Sequence, residues 1–288
     1  MATLRVLRSR VASIRSIQRV TRGLRLVAAA RMRRQQVALA AARPYAHELE
    51  GLLRKLAATR AAQAQPLAAV REPVQRVLAA VVTADRGLCG GLNAAICRRA
   101  LGLLAEHHDG GVEYIAVGRK GEIWLRRRGH EPAAAYPGAS QRLRFAQAVT
   151  IAGELRRRFL AGQADRVYVV YSEARPPSQQ VPVVQQLLPI ALPADRTTPA
   201  ALGDTILESS PGRLFAAAAG RYLSACVWRA LLHVSVCEQA ARMLAMDNAS
   251  KNAEELITTL TREINRERQA AITLQLMDIV GGASAVER

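Results

Sequence analysis

Aromatic side chains are scarce in this 288-residue chain, which has three Phe, two Trp and six Tyr, 4% of the total. Binders of single-stranded nucleic acid stack bases on rings, so this composition argues against one. Cysteine is rare too. Cys89, Cys97, Cys226 and Cys237 form no CxxC pair, and four reduced, partly buried thiols are expected. Long apolar runs are missing. Stretches such as Val77 to Ala84 and Leu214 to Ala219 fall far short of the ~18 residues a membrane span needs. Arg interrupts every apolar stretch of the N-terminus, so no secretory signal is expected. Acid is absent from the first 47 residues, and the first carboxylate is Glu48.

What is present is basic charge. The net charge is +18 at pH 7, and eleven Arg lie between Met1 and His47. Such a start fits a transit peptide, a nucleic-acid arm, or the solvated face of a helix that meets an acidic partner. Hydrophobic residues make up 50% of the chain, enough to fold, and the length suits about two structural units.

The apolar spacing favours the helix. Leu4, Leu7, Val11, Ile14, Ile17, Val20, Leu24 and Val27 follow a stripe close to a coiled-coil seam, with one three-residue slip. The pattern runs to about Ala62 with a bend expected at Pro44, a helix of roughly 58 residues and roughly 87 Å. The other end matches. From Leu232 to Leu274, alternate steps of four and three land on thirteen positions, of which ten are apolar. Ser210 and Pro211 suit a helix start, and Gly281-Gly282 suits its end. That gives about 70 residues and roughly 105 Å. Neither helix fits inside a compact domain, so the two are expected to pair as a projecting antiparallel coiled coil.

Between them the pattern predicts an α/β domain. Strands are expected at Arg76–Thr83, Glu113–Val117, Arg166–Tyr171 and, as an edge, Val181–Ile190. Helices are expected at Ala94–His107, Lys120–Arg128 and Leu143–Leu160. This alternation implies a mostly parallel sheet. The fold class is therefore mixed α/β: a long coiled coil from 1–62 and 211–284 with an inserted Rossmann-like domain at 74–202.

Chemical motifs are weak. The Gly-rich turn Asp85 to Asn93 follows a strand and opens a helix, where backbone N–H groups can cradle phosphate. Its glycines match neither GxGxxG nor GxxxxGK[ST], so a tight structural turn is the stronger reading. His107, His108 and Asp109 lack a third ligand at useful spacing. No Ser/His/Asp or Cys/His set has supporting context, and Cys89 has no base beside it. Neither catalysis nor a metal nor a cofactor is expected.

Several stretches, taken together, carry a resemblance. The first is Leu4-Arg5-x-Leu7-Arg8-x-Arg10-Val11-Ala12-Ser13-Ile14, continuing to Ala30-Arg31-Met32. Then come Ala42-Arg43-Pro44-Tyr45 and Asp85-Arg86-Gly87-Leu88-Cys89-Gly90-Gly91-Leu92-Asn93. Near the end stand Ala241-Arg242-Met243, Asn265-x-x-Arg268-Gln269-Ala270-Ala271-Ile272-Thr273 and Ile279-Val280-Gly281-Gly282-Ala283. In order and over the whole chain these resemble the gamma subunit of F-type ATP synthases.

The resemblance implies a central rotary shaft that couples ion flow to ATP synthesis or hydrolysis without itself catalysing. It implies alpha, beta, epsilon and c subunits as partners, with no nucleic acid and no small-molecule ligand. It also implies a peripheral place on the cytoplasmic face of a bacterial membrane, with no transit peptide. Arg242, Arg268, Gln269, Thr273, Asp85, Arg86, Cys89 and Glu208 become expected partner contacts, the first four on one helix face. Gly23-Leu24, the stretch His233 to Cys237, Ser209 after Glu208, and Gln275 depart from the family's usual residues and suggest a divergent member. The rival readings are a basic coiled-coil nucleic-acid binder and a nucleotide-dependent enzyme built on the middle domain.

Overall fold

A computed structural model describes the chain except residues 1, 58, 60–63, 107–110, 142, 176–178, 191–207 and 287–288. His107, His108 and Asp109 lie outside the described residues. In order, the elements are α1 (Ala2–Ala57), β1 (Arg76–Val82), α2 (Leu92–Glu106), β2 (Gly111–Val117) and α3 (Arg119–Arg126). There follow β3 (Ala134–Tyr136), α4 (Phe145–Leu160), β4 (Arg166–Arg175), β5 (Gln179–Leu188) and α5 (Pro211–Val286). Contacts divide them into two units. One joins 1–29 with 242–288, and the other is 30–241.

In the first unit, Arg25 Nη1 binds Asp247 Oδ1 at 2.8 Å and Arg22 pairs with Glu254 at 3.7 Å. Numbers rise along one segment as they fall along the other, so the segments run antiparallel. Both pairs are exposed, so they add little. The apolar seam holds the segments together. On α5, Met246, Ser250 and Ala253 are buried and Ile257, Leu260, Ile264 and Ala271 half-buried. These are the positions that the four-three steps select.

The α1 seam differs from the expected one. Ile17, Val20 and Val27 are exposed, whereas Gln18 is half-buried and Thr21 and Ala28 are buried. The steps from Leu7 through Val11, Ile14, Gln18 and Thr21 alternate four and three without a slip. Thr21 is tolerated because its hydroxyl donates to the Gln18 carbonyl at 3.0 Å, which leaves its methyl to pack. Gly281 and Gly282 do not end α5, which continues to Val286. Glycine permits a left-handed C-cap but does not force one, and each costs a helix only about 1 kcal/mol.

The second unit holds a five-stranded sheet in the order β3-β2-β1-β4-β5. The first four strands are parallel, and β5 returns antiparallel to β4 as an edge. Central β1 is buried from Val77 to Val82, the near-continuous apolar run of a strand covered on both faces. The three-residue edge strand β3 is too short to leave a pattern. The core joins this sheet to Leu53 and Leu56 of α1 and to Phe215, Leu223, Val227, Leu231 and Val234 of α5. Here α5 is buried on nearly every side, and its apolar residues predominate. The boundary at Ala30 and Ala241 therefore falls within the long helices, because their segments inside 30–241 belong to the sheet's own core. Ser210 lends its carbonyl to Leu214 N–H at 3.1 Å, placing Pro211 at the first helical position.

Strand β4 outruns its neighbour. Its Arg166–Val170 segment pairs with β1, whereas Tyr171–Arg175 pairs only with β5.

Candidate functional site

The C-terminal ends of β1 and β2 meet the start of α3. Thr83 N–H donates to Val117 O at 2.8 Å, Gly118 N–H to Tyr136 O at 3.0 Å and Lys120 N–H to Ala84 O at 3.1 Å. Thr83 Oγ1 accepts the Gly121 amide at 2.8 Å. Asp85 sits in this seam, only 5% exposed. Its carboxylate accepts the amides of Arg119 (2.9 Å), Gly138 (2.8 Å) and Ser140 (2.8 Å), and the Ser140 hydroxyl at 2.7 Å. Burial alone would raise its pKa. The bonds from Arg119, Ser140 and Gly138 outweigh that and hold the carboxyl below its ordinary value of 3.8.

These converging amides form the kind of nest that binds phosphate. Here the protein's own carboxylate fills it. Asp85 is thus a buried clamp rather than the surface contact expected, and its charge opposes a phosphate beside it.

The turn that Asp85 anchors is closed by Asn93, whose Oδ1 accepts Ala84 N–H at 2.9 Å and whose Nδ2 donates to Cys89 Sγ at 3.2 Å. Cys89 is buried, again not a surface contact. Arg86 and Leu88 are exposed. Leu88 stands 64% exposed at φ +62°, an uncommon backbone state for a branched apolar residue and the kind that clusters at functional sites. Its strain left no mark in the sequence. The Cys89→Ala variant should lose about 1–2 kcal/mol through the vacated volume and the weak bonds that its thiol makes with Arg86 O and Asn93 Nδ2. On the resemblance to rotary ATPase subunits, ATP hydrolysis by an assembly carrying it is expected to stay within a few-fold of wild type. A thiol required for turnover would instead abolish it.

The expected helix-face cluster is brought together only in part. Arg268, Gln269 and Thr273 are exposed on α5, and Thr273 Oγ1 donates back to Gln269 O at 3.0 Å. Arg242 is buried. Twenty-six residues separate it from Arg268 and leave it about 80° around the helix, so it does not share their face. Glu208 is exposed just before α5. Apolar side chains also stand uncovered in this unit. Val6, Ile17, Val20 and Val27 line α1, and Ile272, Leu274, Leu276, Met277 and Ile279 lie near the end of α5. Sequence spacing assigned Ile17, Val20, Val27 and Leu274 to the seam.

Among the described residues no group of three or more His, Cys, Asp or Glu could hold a metal ion, and no helix is long and apolar enough to cross a membrane. The four cysteines are free and buried.

The ATP synthase family model matches residues 3–286. The chain is 41% identical to the ATP synthase gamma chain of Chlorobaculum tepidum and 42% to that of an Anaeromyxobacter strain, each over 100% of both chains. The chain belongs to the ATP synthase gamma chain family. Solved structures agree on the fold. A chain of the Euglena gracilis mitochondrial ATP synthase aligns with a TM-score of 0.69 at 17% identity, covering 99% of this chain and 95% of that one. A chain of the Tetrahymena thermophila mitochondrial ATP synthase central stalk and c-ring assembly aligns with a TM-score of 0.63 at 24% identity, over 80% and 99%.

One further group sets a pH dependence for this gamma chain. His233 of α5 is 5% exposed and accepts Ala174 N–H on Nδ1 at 3.2 Å. Burial pushes its pKa from 6.5 down to about 4. Glu173 opposes this, and Arg229 and Arg43 reinforce it. A base with a depressed folded pKa stabilises the fold above its unfolded value, and loses that contribution as pH falls from 6.5 toward 4. Wild type should therefore be roughly 2 kcal/mol less stable at pH 5 than at pH 7.5 on account of this one residue. In His233→Asn that increment should vanish from urea midpoints taken at the two pH values. Equal pH slopes for the two proteins would show that His233 does not titrate in this way.

Proposed function

We propose that this gamma chain is the non-catalytic central rotary shaft of a bacterial F-type ATP synthase, coupling ion flow to ATP synthesis or hydrolysis. Full-length identity of 41–42% to ATP synthase gamma chains of bacteria carries the reading. The paired segments of 1–29 and 242–286 act as an antiparallel coiled coil, and the five-stranded sheet with its helices as a Rossmann-like insertion forming the foot. The partners are alpha and beta subunits around the shaft, with epsilon and the c ring at the foot. The protein is peripheral on the cytoplasmic face of the membrane. Support comes from the uncovered apolar side chains of both helices, which a surrounding ring would cover, and from the acid-free Arg surface of α1, which suits acidic loops. The exposed Arg86, Leu88 and Glu208 suit contact with partners, and the buried Asp85 and Cys89 hold the turn that carries Arg86 and Leu88.

The shaft works by differential contact, since only an interaction stronger in one state than another shifts an equilibrium. An Arg268–carboxylate contact made in one rotary position contributes about 1.5–3 kcal/mol when partly buried, enough for a tenfold bias. Replacing Arg268 or Gln269 by Leu should lower ATP synthesis and coupled hydrolysis at least tenfold, with nucleotide affinity of separate beta subunits unchanged. Normal turnover and normal ion coupling in the substituted assembly would remove torque transmission from this face.

A further inference from the structure

The overhang of β4 needs partners that the sheet does not supply. In a parallel ladder, a residue opposite Glu173 would donate its N–H to Ser172 O and accept from Ala174 N–H. The β1 register, with Val81 opposite Val170, would put Ala84 there. Ala84 is diverted: its N–H goes to Asn93 Oδ1 and its carbonyl to Lys120 N–H. Ser172 is fully buried, so its carbonyl and the neighbouring Ala174 amide cannot both be left to water.

Two side chains one turn apart on α5 fill the gap. His233 Nδ1 accepts Ala174 N–H at 3.2 Å, and Cys237 Sγ donates to Ser172 O at 3.4 Å. One supplies the acceptor and the other the donor of the missing residue. Both are in the state required. The His233 bond places the ring proton on Nε2, and burial raises the Cys237 thiol to about 11 and keeps it protonated. The Tyr171 ring lies 5.7 Å from His233. One turn earlier on the same helix, Arg229 Nη2 donates to Gln185 Oε1 of β5 at 3.1 Å. Arg229, His233 and Cys237 thus recur every four residues, along one face of α5.

We propose that His233 and Cys237 act as a surrogate strand residue, pinning α5 in one axial register on the β4–β5 hairpin so that helix and sheet turn as one body. They are positioning residues. Apolar packing is non-directional, whereas an acceptor and a donor four residues apart fit the Ser172–Ala174 pair at one register only. The mechanical part rests on the rotary reading above, and the hydrogen-bonding part does not.

The test uses the full chain and its assembly. Amide exchange at Ala174, corrected for intrinsic rate, should accelerate about tenfold or more in His233→Leu, the loss of one buried bond. It should return toward wild type in His233→Asn, whose Oδ1 restores an acceptor. Cys237→Ala should loosen the hairpin less, and Cys237→Ser should rescue it. In the assembly, the double variant His233→Leu/Cys237→Ala should hydrolyse ATP within about twofold of wild type. Its ions moved per ATP should fall to about half or less, because a slipping helix turns without its sheet. Leu103→Ala, a core truncation on α2, should lower stability without that split. Unchanged Ala174 exchange in His233→Leu overturns the surrogate strand. Accelerated exchange with intact coupling overturns the mechanical role. An assembly with the wild-type chain that neither hydrolyses nor pumps would sink the rotary reading instead, and the exchange result would still decide the bonding.

Discussion

Gly118→Ala should unfold, or come close to unfolding, the sheet-bearing unit. Gly118 follows β2 with φ +97°, where a side chain is strained by about 1–3 kcal/mol. Space is the larger obstacle. An added Cβ would lie well inside contact with the Thr83 carbonyl oxygen and 2.9 Å from Thr83 Oγ1. That carbonyl is backbone and cannot swing away, since Thr83 N–H is tied to Val117 O at 2.8 Å and Oγ1 to Gly121 N–H. Overpacking adds roughly 1–3 kcal/mol or more, so the sum reaches about 2–6 kcal/mol against a typical total of about 5–15. Gly153→Ala is the matched control. Its Cβ would meet nothing within 4 Å in α4, and the change should stabilise by about 0.5–1 kcal/mol. Urea unfolding followed by circular dichroism separates the two. A Gly118→Ala midpoint at or above wild type would mean that the Thr83 turn is free to move.

What could be read in the sequence tracks how far each signal stays local. The α5 seam was legible because buried and apolar coincide at its four-three steps. On α1 they do not, since the seam passes through Gln18 and Thr21 while Ile17 and Val20 lie uncovered on a neighbouring stripe. Apolar spacing alone selects the richer stripe. The parallel strands were legible as apolar runs, but β4 was expected to end at Tyr171 and ends at Arg175. The added residues are held by His233 and Cys237 from about sixty residues away, a contact no local pattern carries. The stretch from His233 to Cys237 stood out only as a departure from the family's usual residues. The Gly-rich turn showed its position and its structural character but not what organises it, because the amides that form the nest around Asp85 come from Arg119, Gly138 and Ser140. Leu88 looks ordinary until its φ is known.

Asp85→Ala should have the second-largest effect, and its pH dependence identifies the cause. The substitution strips an acceptor from three amides and one hydroxyl in a seam from which water is largely excluded. A buried donor left unpaired costs about 1–3 kcal/mol, and partial relaxation brings four of them to a total near 3–5 kcal/mol. Asp85→Asn keeps the shape but turns an NH2 group toward donors and removes the charge that strengthens each bond, so a loss of about 2 kcal/mol is expected. The carboxyl is held below 3.8 in the folded chain. Its stabilisation is therefore fully present above that value and lost as pH falls through the folded one. The gap between wild type and Asp85→Ala should be widest near neutral pH and narrow under acid. The gap should not depend on salt, because a buried anion among fixed amides is screened little. The consequence reaches the exposed turn. Freed from its clamp, the segment carrying Arg86 and Leu88 loses the geometry that presents them. On the proposed contact of Arg86 and Leu88 with a partner, an assembly with Asp85→Ala should therefore hold that partner more weakly even at temperatures where the chain stays folded. Wild-type stability at pH 7 in the variant would show that the nest is satisfied by water, and that Asp85 is not what organises the turn.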